Sequence, residues 1–575
     1  MNKPFRTEIG ERVFINKYMH EHAETWDKLS QTLINEVVDS RMPDNDKSAL
    51  IELHKEMKFV AGGRYLYYAG RPNKFYNNCF LLKAEFDTRE DWANLSWKSE
   101  SALMTGGGIG IDYSVYRPSG SPISKTGGYA SGPIPKMYMI NEIGRNVMQG
   151  GSRRSAIYAS LNWQHNDIHD FIKAKAWNEI VVNGVFTENG EKATIAYLKE
   201  KDFNFPAALD MTNISVNYDN DFLERVYQSD IDAIKMNLGR GSELSFMDLP
   251  KIYIENVRRA LVSGEPGMSF NFFDKEKETL RNACGEVSSE DDSDVCNLGS
   301  INMSRIETIE EFKEAVRLGS QFLLFGTLVA QLPYEKVYRV REKNHRLGLG
   351  LMGVHEWLLK RGYRYEVVDE LKEWLSVYKN ESERAANEMA DKIGISRPIA
   401  YRAIAPTGSI GILTSTTTGI EPLFAVAYKR RYLNGKDKWM YQYVIDGTSK
   451  VLINEYGIEP DSIETSLDLA KDPERRIKFQ ADIQDYVDQA ISSTINLESW
   501  GSEWNNDSKV RMFAKILLKY AHRLRGFTCY PDGSRGGQPI TAVPYSDVGG
   551  KEGKEFSEEF IDICELSGKG GTCGS

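Results

Sequence analysis

Asn282, Cys284 and Glu286 follow one another at two-residue spacing in Asn282-Ala283-Cys284-Gly285-Glu286, and Cys296 lies twelve positions beyond Cys284. In an extended or looped segment, residues two apart project to the same side. An amide, a thiol and a carboxylate could therefore face one ligand, offering a hydrogen-bonding group, a sulfur and an acid or base. Ala283 and Gly285 between them leave room for a substrate. On these residues alone, a buried cysteine near a surface glutamate stays an open alternative.

The remaining cysteines fall into two kinds. Cys79 and Cys529 stand alone, whereas Cys564 and Cys573 lie in the last 27 residues, which hold seven glycines and little apolar material. That stretch reads as a mobile tail, and two of six cysteines on such a tail require a reason. No C-x-x-C occurs, so a structural zinc site is not expected. His165 and His169 lie four apart with no third ligand in view, and no metal is expected there. Gly106-Gly107-Gly108-Ile109-Gly110 fails the dinucleotide fingerprint, because Ile111 occupies the last glycine position. Lys125-Thr126 fails the P-loop, because Ser124 replaces its second glycine. The segment Ser119 to Gly128 could still cradle a phosphate with backbone N–H groups.

These residues need a scaffold, and 575 residues with 41 % hydrophobic and 27 % charged side chains supply a soluble globular one. A net charge of −10 argues against nucleic acid as a partner. The longest apolar run, near Phe322 to Ala330, is about half of the ~18 residues a membrane span needs. No signal peptide is read at the start, so a cytoplasmic, reducing location is expected. Trp26, Leu29, Leu33 and Val37 recur at helical spacing. A second helix is expected from Asp46 to Lys58, stopped by Gly62-Gly63, and residues 1–70 read as a helical packing layer. From about Phe75 to Tyr545 short apolar runs alternate with helical patterns, as in Ala156–Leu161 followed by Asp167–Ile172. That alternation implies an α/β core.

The finger-like Asn-x-Cys-x-Glu resembles the catalytic subunit of the ribonucleotide reductases, and further stretches match that family in order. They are Asn78-Cys79-Phe80, Gly106 to Gly110, Arg117 to Ser121, Gln149 to Arg154, His165 to Ile168, Ala405 to Ser409, Gly419 to Pro422 and Asp532 to Arg535. The resemblance runs from about residue 60 to 545 and into the tail. It implies a ten-stranded α/β barrel of two antiparallel five-stranded halves around a central finger loop, over residues 71–548. A helical region, 1–70, without an ATP-cone would precede it, and a redox-active tail, 549–575, would follow. Three positions depart from the family pattern: Ala283 and Asn166 stand where proline is usual, and Ser155 where glycine is common. Each alters loop stiffness and none removes a reactive group.

The resemblance also implies roles. Cys284 would become a thiyl radical that abstracts the ribose 3′ hydrogen. Glu286 would act as base on the 3′ hydroxyl, and Asn282 would hold the sugar hydroxyls. Cys79 and Cys296 would deliver two electrons and end as a disulfide. Cys564 and Cys573 would re-reduce it by thiol exchange, served by thioredoxin or glutaredoxin. Asn78, Thr407, Gly408, Ser409 and Ile410 would bind the substrate, the last four its phosphates. Asp87, Arg117 and Lys125 would read a deoxynucleoside triphosphate effector, and Gln149 and Arg153 would relay that choice, across a homodimer. No tyrosine pair precedes the tail, and Gly526 to Gln538 with the short gap from Cys284 to Cys296 resemble the adenosylcobalamin-dependent class. Ribonucleoside diphosphates are the expected substrates. The rival reading is a large subunit that needs a separate metal-containing radical generator.

Overall fold

The computed structural model describes residues 4–147, 155–202, 205–227, 249–434, 438–534 and 540–557. Its strands are β1 (Phe59–Ala61), β2 (Cys79–Lys83), β3 (Gly108–Asp112), β4 (Ile157–Asn162), β5 (Val181–Phe186), β6 (Lys192–Thr194), β7 (Thr212–Tyr218), β8 (Gly267–Phe270), β9 (Leu280–Arg281), β10 (Ser288–Ser289), β11 (Asp294–Asn302), β12 (Leu347–Met352), β13 (Ala427–Asn434), β14 (Lys438–Ile445), β15 (Thr494–Leu497), β16 (Gly526–Pro531), β17 (Ile540–Val543) and β18 (Glu555–Ser557).

β2, β3, β4, β7 and β8 run parallel to one another. β11 lies antiparallel to β2 and parallel to β12, while β16 lies antiparallel to β8 and parallel to β15. The gap between β12 and β15 is bridged by residues 402–404. Arg402 pairs with Leu349, and Ile404 pairs with Ile491, both in parallel. The ring closes as ten staves in two five-stranded halves, each internally parallel and antiparallel to the other. Closure leaves no edge among these staves. Helices clothe the outside and most stave residues are buried, with Thr494 of β15 and Thr528 of β16 exposed. A separate sheet, β17-β13-β14-β18, stands beside the barrel. The segment expected as a mobile tail begins instead as ordered chain: Glu552 bridges to Tyr443 and β18 pairs with β14, and residues 558–575 lie outside the described residues.

At the N-terminus, helices span Glu8–Lys17, Trp26–Val37 and Asp44–Lys55. Trp26, Leu29, Leu33 and Val37 are all buried, as their spacing requires. The next helix stops at Lys55 rather than Lys58. Met57 takes a positive φ of 58°, and the apolar Phe59–Ala61 then pair with β11 as β1. Tertiary pairing of a short buried apolar run outweighs the local helical pattern here.

The hairpin β9–β10 does not join the barrel wall but crosses its interior. It passes over β3, and the glycines of that strand explain how. A Cβ on Gly110 would lie 1.5 Å from the Arg281 carbonyl oxygen, and one on Gly108 would lie 2.8 Å from the Ala283 Cβ. Residues two apart face one side of a strand. Gly108 and Gly110 therefore clear the interior face, while Ile109 and Ile111 pack outward among the helices. A Gly110→Ala variant is expected to lose at least about 3 kcal/mol, the upper end of ordinary overpacking. Gly549→Ala, with its nearest contact at 3.5 Å, should stay within about 0.5 kcal/mol of wild type. Urea denaturation of the two variants checks this. Equal stabilities would show that β3 does not need its glycine for the hairpin.

Candidate active site

The tip between β9 and β10 is a tight turn rather than an extended segment. The Gly285 amide donates to the Asn282 carbonyl at 3.0 Å, and Gly285 takes a φ of +84°, which glycine tolerates. The Asn282 side-chain oxygen accepts from the Val287 amide at 3.0 Å. The Glu286 carbonyl accepts from the Ala490 amide at 2.9 Å, tying the turn to the opposite half of the barrel.

Two of the three residues expected to converge do so on Cys79. The Asn282 amide nitrogen donates to the Cys79 sulfur at 2.9 Å, and the Cys79 thiol faces Glu286 Oε1 at 3.8 Å. Cys79 begins β2 and is the register partner of Cys296 on β11. Directly opposed residues of an antiparallel pair have Cα atoms about 4.5–5.5 Å apart, inside the range a disulfide can bridge. Both cysteines are buried within a small apolar cluster with Leu81, Leu280, Val287, Leu298, Ala403 and Ala405. Burial, with the Glu286 carboxylate next in effect, pushes the Cys79 thiol well up. Burial likewise pushes the Cys296 thiol up. Both are thus held as neutral thiols.

Glu286 is 1 % exposed. Burial pushes its carboxyl up to about 7, against hydrogen bonds from Asn282, its own backbone and Cys79 that favour the charge. Among the described residues its Oε2 has no hydrogen-bond partner, and neither has the side-chain oxygen of Asn78. The backbone of Asn78 is fixed from both sides: its amide donates to the Cys296 carbonyl at 3.3 Å and its carbonyl accepts from Gly108 at 2.8 Å.

Cys284 differs from the other three described cysteines, Cys79, Cys296 and Cys529, in being exposed. It stands in a cleft of about 30 Å³ with Tyr158, Ser215, Ser269, Arg281, Ser492 and Arg525 among its walls. These residues come from separate strands and loops and left no spacing signal in the sequence. Among the described lining residues none carries a carboxylate or an imidazole. Arg525 is held by Glu278 at 2.9 Å. A larger cavity, of about 750 Å³, shares Ser492 with this cleft and is lined also by Pro406, Thr416 and Tyr428.

Thr407 precedes a helix, Gly408–Thr414, as its N-cap in the left-handed region, at a φ of 49°. Its hydroxyl accepts from the Gly419 amide at 2.8 Å. Ser409 receives the Lys17 ammonium at 3.2 Å. On the outer side of the barrel, Arg117 pairs with Asp87, while Lys125 is exposed at the tip of a hairpin closed by the Pro122–Tyr129 bridge. Asp87 and Arg117 are thus brought together, and Lys125 is not joined to them. His165 bonds the Tyr116 carbonyl and His169 bonds Glu255. Among the described residues no group of three or more potential ligands gathers for a metal. Gln149, Arg153, Cys564 and Cys573 lie outside the described residues.

Comparison with known proteins gives three findings. The family described as ribonucleotide reductase, barrel domain, matches residues 77–398 and 368–530. A vitamin B12-dependent ribonucleoside-diphosphate reductase of Mycobacterium tuberculosis is 24 % identical over 552 residues, 88 % of this chain and 75 % of the relative. One from Thermoplasma acidophilum is 26 % identical over 542 residues, 85 % of this chain and 66 % of the relative. Among solved structures, the Actinobacillus ureae class Id ribonucleotide reductase alpha subunit superposes with a TM-score of 0.67 at 16 % identity, covering 92 % of this chain and 97 % of that one.

The raised Glu286 carboxyl has a consequence for stability. Its folded value, about 7, lies above the ordinary 4.5, so the folded state binds the proton more tightly than the unfolded one. Stability is therefore lost as pH rises from about 4.5 to about 7, by on the order of 3 kcal/mol. Glu286→Gln removes that loss. The variant should gain on wild type between pH 4.5 and 7 and hold a constant margin above. Urea denaturation across this range tests it, and a pH-independent margin would contradict the buried carboxyl.

Proposed function

The chain belongs to the ribonucleotide reductase family, and from that premise we propose that it reduces ribonucleoside diphosphates to 2′-deoxyribonucleotides with adenosylcobalamin as its radical source. The observation that carries the reading is the convergence of Asn282 and Glu286 on Cys79, opposite Cys296, beneath the exposed Cys284. The names of the relatives from Mycobacterium tuberculosis and Thermoplasma acidophilum support the cofactor and the diphosphate.

At about 30 Å³ the Cys284 cleft is too small to enclose such a cofactor, which would have to meet the thiol at its mouth. Cys284 is exposed at the mouth of the cleft, where a hydrogen atom can be taken from its thiol. Tyr158, Met268, Ile491 and Phe527 are the lining residues that would face the group. When bound, adenosylcobalamin supplies the one-electron oxidation that turns the Cys284 thiol into a thiyl radical.

The chain's own residues then perform the reduction. The Cys284 sulfur takes the 3′ hydrogen atom. Glu286, through its unpartnered Oε2, takes the 3′ hydroxyl proton, for which a carboxyl near 7 is well matched. Asn282 holds the sugar hydroxyls. The 2′ hydroxyl leaves as water, with its proton supplied from the Cys79–Cys296 pair. Those two thiols give up two protons and two electrons in all and become a disulfide. Cys284 returns the hydrogen atom to C3′ and is a thiyl again. The net change is C2′–OH plus two thiols to C2′–H, water and a disulfide. Cys564 and Cys573 would restore the thiols by exchange and draw on thioredoxin or glutaredoxin. Thr407, Gly408, Ser409 and Ile410 would hold the phosphates. Asp87, Arg117 and Lys125 would hold the effector and Gln149 and Arg153 relay it, in a homodimer.

The test uses the purified chain without oxygen, given adenosylcobalamin, a ribonucleoside diphosphate, a deoxynucleotide effector and a dithiol. Deoxynucleotide should form from this single chain, with a cob(II)alamin signal by electron paramagnetic resonance. Cys284→Ser should abolish product. Glu286→Gln should slow turnover by about 10²–10⁴-fold and remove an inflection in rate near pH 7. Folded protein that binds nucleotide yet gives neither product nor cobalt signal would overturn the cofactor assignment and favour a partner that generates the radical.

A further inference from the structure

Helix Glu8–Lys17 has the sequence of a packing element, yet it ends on the turn read as the phosphate site. It crosses helix Gly408–Thr414 in direct backbone contact. A Cβ on Gly10 would lie 2.6 Å from the Leu413 carbonyl oxygen, so only glycine permits the approach. The two helices run in opposite directions. Gly10 meets Leu413 near the end of one, and about two turns later Lys17 meets Ser409 at the start of the other, its ammonium 3.2 Å from the hydroxyl.

The crossing is held at its other end as well. Arg6 donates to the fully buried Glu356 at 2.7 Å. Thr7 caps its own helix through the Gly10 amide and shares a 2.7 Å hydrogen bond with Ser415. Phe14 is buried against Phe5 and Trp26, with ring centroids 5.5 and 6.1 Å apart. Lys17 thus projects from a fixed helix. The turn beneath it is open: Pro406 and Gly408 are exposed, and no atom lies within 4 Å of a Cβ built on Gly408.

Backbone amides and hydroxyls at 407–410 offer neutral donors, whereas a nucleoside diphosphate brings several negative charges. A flexible ammonium suits a terminal phosphate as a point charge. We propose that Lys17 is a substrate-binding residue whose ammonium holds the terminal phosphate of the ribonucleotide against the 407–410 turn. This rests on the reading of Thr407 to Ile410 as the phosphate site. The helical N-terminal region then completes the substrate pocket instead of only covering the barrel.

The test is calorimetric titration of the full chain and its Lys17→Ala and Lys17→Arg variants. The ligands are a ribonucleoside and its diphosphate, with a saturating deoxynucleoside triphosphate present so that the effector site does not contribute. Lys17→Ala should weaken the diphosphate by about 10–100-fold, as loss of one charge-assisted hydrogen bond implies. It should leave the unphosphorylated nucleoside unchanged and flatten the salt dependence of diphosphate binding. Lys17→Arg should stay close to wild type. Diphosphate affinity unchanged in Lys17→Ala, or nucleoside and diphosphate weakened alike, overturns the proposal while leaving the phosphate site standing. Wild-type protein that binds no ribonucleoside diphosphate overturns the phosphate site and Lys17 together.

Discussion

Everything at the active centre depends on a polypeptide hairpin being threaded through the inside of a barrel. A ten-stave ring filled by ordinary side chains has no room for it. Here the room comes from β3, where Gly108 and Gly110 present bare backbone to Arg281 and Ala283. The hairpin is then fixed at both ends of its path. Arg281 is buried at its base and donates to the Asn271 side chain and the Arg525 carbonyl, and the Ala490 amide holds the Glu286 carbonyl near its tip. Ser289 at its far strand bonds Asp294, which pairs with the buried Arg346. Buried charges of this kind contribute more to a unique position than to net stability.

Threading also sets the electrostatics. The tip carries Glu286 into an apolar pocket between the barrel halves, where water cannot reach its carboxylate, and the same burial keeps Cys79 and Cys296 as thiols. Cys284, two residues back on the turn, emerges on the open side. One short loop therefore gathers a neutral reducing pair, a proton acceptor and an exposed thiol where a single sugar could meet all three.

Much of this was legible in the sequence because it is local. Asn282, Cys284 and Glu286 share a pentapeptide, Trp26–Val37 shows one apolar face, and Thr407-Gly408 opens a helix as its residue types suggest. Of the extended and looped forms that the spacing allowed, the finger takes the looped one: Asn282 and Glu286 converge through a tight turn at Gly285. What stayed hidden is non-local. Residues 402–404 complete the barrel through isolated bridges, with no strand-length pattern of their own. Arg281 and Arg525 reach the Cys284 cleft from elements more than 240 positions apart. Lys17 reaches Ser409 only because Gly10 lets two helices touch. The glycine run at 106–110 was visible but its purpose was not, since it is defined by the loop it admits.

The most direct measurement is a single turnover in a chain whose tail cannot intervene. A Cys564→Ser, Cys573→Ser double variant, fully reduced and then freed of external thiol, is supplied with cofactor, effector and ribonucleoside diphosphate. Its peptides are then mapped by mass spectrometry. The expected result is no more than one deoxynucleotide per chain, matched by a peptide pair linked through Cys79 and Cys296, with neither seen when Cys284 is also replaced by serine. Product formed while Cys79 and Cys296 remain free thiols would contradict the assignment of this pair, and of the pocket built around it, as the source of the electrons.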